Sequence, residues 1–227
     1  LTSSQIAQLN TDTVAALNTL AVRALNTVQV VALTTFQVAN LNTTTVMALS
    51  TKQIAALESR DVSVLSSANL MVMRNDQIQA LGTAQIAALT TTQLESVGSN
   101  LLSRLTPSQL RGLAGFNLED LGFLTPAQVA GYTTAQIAGL STTAFLSLNT
   151  SAVASLKTSQ IVALNTAQVA ALNTTTLNAL TSIQIGALEV VDLVVLSTSN
   201  LAALTTLQLR ALNTRQLNGL STTQLES

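Results

Sequence analysis

Apolar residues recur along this chain with a period of eight. Cut at each leading leucine, the sequence falls into octads such as LNTAQVAA (164–171): fifteen fill 1–120, three residues (Leu121, Gly122, Phe123) interrupt, and thirteen fill 124–227. Position 1 is Leu except at Met73, Val97 and Tyr132, and position 6 is Ile, Val or Leu except at Phe145, so both are apolar in all 28 octads. Position 2 is mostly Thr, Asn or Ser and position 3 mostly Thr or Ser. Position 5 is Gln in 16 octads.

That order spells a helix start. A Thr, Asn or Ser followed three residues later by Gln is a capping box, and the apolar residues at positions 1 and 6 are the two halves of a hydrophobic staple. Both prolines, Pro107 and Pro126, stand at position 3, the first helical position, where a missing N–H costs nothing. Each octad therefore predicts a fresh helix of about six residues, ended by the next cap. One uninterrupted helix does not fit, because an eight-residue period rotates the apolar stripe by about 80° per octad and leaves no fixed buried face. The alternative is a β-solenoid, which the Thr, Val and Ile content would suit. Positions 1 and 6 would then face opposite sides of a strand, and Gly is sparse where turns would need it. The expected fold is all-α, a solenoid of very short helices.

Helices of this length do not survive alone in water, and two buried side chains and a cap return less than the entropy of ordering eight residues. Stability has to come from stacking, and the expectation is one continuous solenoid over 1–227. A longer period overlies the octad: 1–96 aligns without gaps on 132–227, at an offset of 131. Where position 5 departs from Gln the two stretches depart together, at Ala21 and Ala152, Thr45 and Thr176, Asp61 and Asp192, Asn69 and Asn200; only Thr13 and Ala144 differ. Glu58 matches Glu189, and QLES closes both copies. The two stretches are equivalent parts of a 131-residue super-repeat, and such an array is expected to belong to a longer protein or to dock end to end. Residues 97–131 occur once and form an irregular segment. They supply the candidate assembly junction: Arg104, Arg111, Phe116, Glu119, Asp120 and Phe123, with Tyr132 just beyond.

Composition narrows the function. With 48% apolar but only 8% charged residues and a net charge of -1, no basic stripe exists to hold nucleic acid. Polar residues break every apolar run well before the roughly 18 residues of a membrane span. Histidine and cysteine are absent, removing the usual general base, thiolate nucleophiles and most zinc sites. Asp61 and Asp192 stand in different copies of the super-repeat and read as solvated or capping carboxylates. The expectation is a protein with no enzymatic activity and no cofactor.

The string LTPAQV resembles the opening of the DNA-reading repeat of transcription activator-like effectors, but the period of eight and the missing basic character set that family aside. LGTAQIAA (81–88), LNTAQVAA (164–171) and YTTAQIAG (132–139) resemble octapeptide tracts of very large secreted bacterial surface proteins of the adhesin kind. The resemblance implies an extracellular structural role at a bacterial surface and transfers no functional residue. Self-association is the expected partnership, as a stalk, filament or surface-layer subunit; the alternative is a regular Thr/Asn array presented to a surface glycan, another polymer or ice.

Overall fold

Each helix is built from its cap inward. In the first octad, the Thr2 hydroxyl accepts from Gln5 N–H at 3.2 Å while Gln5 Oε1 accepts from Thr2 N–H at 2.8 Å, the reciprocal box the sequence predicts. The helix Ser3–Ala7 follows. The next leucine ends it: Leu9 N–H bonds back to Ile6 C=O at 3.1 Å, and a leucine that closes a helix this way is extended, as at Leu25 (φ -66°, ψ 129°). The same residue thus closes one helix and precedes the cap of the next. No left-handed residue is required, which explains the scarcity of glycine; Gly98, at φ 46°, is the one positive-φ residue among those described.

The computed structural model describes residues 1–113, 119 and 121–226, and among them holds twenty-six helices and no strand. The β-solenoid alternative is excluded. All helices are four to six residues long except Thr91–Leu102, which spans two octads across a bend at Gly98. The chain divides into two compact units, Leu1–Phe116 and Asn117–Ser227.

Within each unit a helix packs on the one three octads further along. In the first, Ser3–Ala7 meets Thr27–Val31, which meets Thr51–Ala56; in the second, Pro126–Ala130 meets Thr150–Ala154, which meets Thr174–Ala179. Three octads make one coil. Position 6 points into the stack and is sealed by the coil above. Ile78, with a coil over it, is 0% exposed, whereas Leu209, the equivalent residue in the last coil described, is 46% exposed. Coils approach so closely at Gly112 that a Cβ there would lie 2.8 Å from Thr83 C=O.

Candidate functional site

The recurrent feature of both units is a buried ladder made by the position-5 glutamines. A helix this short leaves most of its carbonyls without an intrahelical partner. Gln53 shows how they are satisfied: Oε1 accepts from Ser50 N–H at 2.7 Å, and Nε2 donates to Val22 C=O and to Leu25 C=O, both at 2.7 Å. The first bond closes its own helix start. The other two cap the helix end and the corner of the coil below, at sequence offsets of 31 and 28.

The offsets recur in both units. Gln77 reaches Val46 and Leu49, and Gln109 reaches Ile78 and Leu81. In the second unit Gln168 reaches Ile137 and Leu140, and Gln208 reaches Leu177 and Leu180. Each of these amides spends its acceptor and both donors, which makes its burial cheap.

At four positions without glutamine, another group fills the place. Asn69 and Asn200 are one methylene shorter and donate only to the nearer carbonyl, at the offset of 28: Leu41 and Leu172. At Ala152, the cap residue Asn149 turns its Nδ2 onto Gly122 and Leu124 C=O instead. In the bent octad, position 5 is Leu101, and Arg104 takes over the two carbonyls a glutamine there would bind: Met73 at 2.6 Å and Leu70 at 3.5 Å. Burial lowers the Arg104 pKa from its ordinary value.

Two positions break the pattern chemically. Asp61 and Asp192 occupy position 5 and are 0% and 2% exposed, so they are not the solvated carboxylates the sequence suggested. The capping role holds: Asp61 Oδ2 accepts from Glu58 N–H at 3.1 Å. Its other oxygen, Oδ1, is buried and makes no hydrogen bond. Burial is the first cause pushing both carboxyls above the usual range; the backbone N–H of Glu58 or Glu189 pulls the other way, and the negative charge of that same glutamate adds to the rise.

The candidate junction residues are spread over both units, and each has its own setting. Arg104 is the surrogate ladder residue just described. Arg111 is exposed and donates to Ser108 Oγ at 3.1 Å. Glu119 is exposed, Phe123 is half-buried, and Tyr132 is buried in a leucine's place, its hydroxyl pKa pushed up to about 12 by burial. Phe116 and Asp120 lie outside the described residues.

The ladder's second role escaped sequence reasoning, although a signal for it existed. Glutamate serves a capping box as well as glutamine does and complements the helix dipole better, yet position 5 is never Glu in 28 octads. A demand for donors at a buried position accounts for that exclusion. Among the described residues no three His, Cys, Asp or Glu come together as a metal site. A groove of about 260 Å³ between Glu189–Val191 and Asn213–Gln216 carries Glu189 and Arg215 on its walls.

Short helices in three-helix coils, joined by side-chain amides at a fixed offset, define a helical repeat protein with a solenoid-like stack in each unit. The chain belongs to the ALTTAQ repeat family: the ALTTAQ repeat model matches residues 6–43, 54–91, 64–99, 144–174, 153–190 and 193–227, more than half of its length. No curated protein matches the sequence.

Proposed function

We propose that this is a non-enzymatic structural repeat protein, a stalk, spacer or self-assembling filament subunit at a bacterial cell surface. The observation that carries the reading is the ladder itself. The glutamines tie one coil to the coil before it, as Gln53 does with two bonds, so every added coil adds length and stability without assembling a reactive cluster. Stability in such an array grows by nearest-neighbour terms, which suits a part whose work is to span distance. The chain is weakly charged and exposes Leu20, Val28, Phe36, Ile183 and Leu207, favouring association between copies. Electron microscopy of the concentrated protein, with sedimentation velocity across a concentration series, tests this. Fibres, sheets or concentration-dependent mass are expected; strictly monomeric sedimentation would remove the assembling role.

A second reading rests on a different feature. Thr134, Thr158, Ser182 and Thr206 hold position 3 on successively packed helices of the second unit, and the three threonines are exposed. The column is a regular hydroxyl array suited to a glycan, a polymer or ice. Ice-recrystallisation and glycan-array assays separate the readings, since a pure spacer gives no response in either.

A further inference from the structure

We infer that Asp61 and Asp192 are proton-dependent latches: as neutral acids they donate an O–H to the Leu33 and Leu164 carbonyls of the coil below, and as carboxylates they leave that rung open. Three observations lead there. Gln53, Gln77, Gln109, Gln168 and Gln208 all donate to the carbonyl at the offset of 28, the place Leu33 and Leu164 hold relative to the two aspartates. The shorter Asn69 and Asn200 span that distance, at 2.9 and 2.6 Å, and aspartic acid has the same reach. Asp61 already uses Oδ2 on Glu58 N–H as glutamine uses Oε1, leaving Oδ1 buried and unbonded in the place of the amide donor.

A carboxylate there sets a lone pair against a carbonyl oxygen in a space sealed from solvent, an arrangement that disfavours the charged form. The upward pKa shifts at both residues agree. The ionisable surroundings are sparse. The helices packed on Ser59–Val62, namely Thr35–Ala39 and Thr83–Ala87, carry no charge, and Glu58 and its ion-pair partner Arg60 belong to the same octad as Asp61. Of the helices packed on Val190–Leu193, Thr166–Ala170 carries none and Thr214–Gly219 carries Arg215; Glu189 belongs to the octad of Asp192.

The sign follows from linkage. A carboxyl whose folded pKa lies above its unfolded one stabilises the fold fully below the unfolded value, and that stabilisation is lost as pH rises through the folded value. Acid closes the latch and neutral pH opens it, once in each copy of the super-repeat.

The test compares the whole chain with Asp61→Asn, Asp192→Asn and the double variant, melted at pH 4 and pH 8. At pH 8 each Asn variant is expected to melt about 2–4 °C higher, the shift of one neutral hydrogen bond restored in a chain of this size, and the double variant to lose the part of the pH dependence the two sites supply. A wild-type carboxyl titration by NMR gives a readout that no variant's folding can confuse: two aspartates, Asp61 and Asp192, titrating above the ordinary aspartate range. Ordinary titration of all aspartates would overturn the inference, as would unchanged pH dependence in the double variant. So would a calcium-dependent rise in wild-type melting at pH 8 that both substitutions abolish, which would make the sites cation ligands instead.

Discussion

Residues 1–96 and 132–227 are the same machine inside and two different ones outside. Their ladders correspond at four rungs: Gln37 and Gln168, Gln53 and Gln184, Asn69 and Asn200, Gln77 and Gln208 take equivalent carbonyls. Their solvent faces do not. Position 4 reads Leu20, Val28 and Phe36 in the first copy where the second has Ser151, Ser159 and Ala167. The second in turn has Ile183 and Leu207 where the first has Lys52 and Asp76. Even the exceptions at position 5 are kept, all but one, while the largest exposed side chains are not. The lesson is that the fold constrains positions 1, 5 and 6, and position 4 is open to whatever the surface must do.

The comparison is most exposed to failure at the ladder. Replacing Gln53 by Glu removes both donors and sets a charge against two buried carbonyls, an uncompensated burial that costs about 3–5 kcal/mol; Gln53→Ala, which only leaves those carbonyls unpaired, costs about 1–3 kcal/mol. Gln184, with the same bonds to Val153 and Leu156, is expected to respond equally. Urea midpoints for the two pairs of variants check this. A substitution tolerated in one copy and ruinous in the other would show that the ladder carries unequal weight in the two copies.

A smaller effect probes packing volumes that differ between the copies. A Cβ on Gly219 would collide with Val190 Cγ1 in the coil below, while the equivalent residues of the first copy are Ala88 and Ser59. Gly219→Ala is therefore expected to cost about 1–3 kcal/mol by overpacking, and Val190→Ser to recover most of it in a double-mutant cycle. Additive losses would mean the two positions do not share the space.

How much of this was legible beforehand depends on which bonds are local. The helix starts were, because cap, box and staple all fall within a single octad: Thr2, Gln5 and Ile6 state them outright. The buried apolar positions were legible too, since a period common to Leu and Ile leaves little else to bury. The coil of three octads was not, because it depends on where Gln53 finds Val22, a pairing between distant octads that no spacing within one octad encodes. Arg104 stood out in sequence as a charge in an irregular stretch, yet its role follows only once Leu101 is seen to leave two carbonyls bare. Of the two readings of Asp61, capping was legible within its octad and burial was not, because its exposure is set by the coils that arrive three octads before and after it.

The smallest expected change in stability tests the outer half of the comparison. Ile183 and Leu207 occupy position 4 of consecutive coils and are 72% and 71% exposed, so neither contributes much to the core of its unit. Installing the first copy's residues, Ile183→Lys with Leu207→Asp, is expected to move the unfolding free energy by no more than about 0.5 kcal/mol. The effect belongs to association instead. Two apolar side chains stacked on an otherwise weakly charged face favour contact between copies, and two charges in their place oppose it. Sedimentation of the double variant should therefore show less concentration-dependent mass than the parent at equal stability. If mass is unchanged, this face takes no part in assembly; if stability falls instead, the face is built into the fold and the separation of inside from outside fails at the point where the copies differ most.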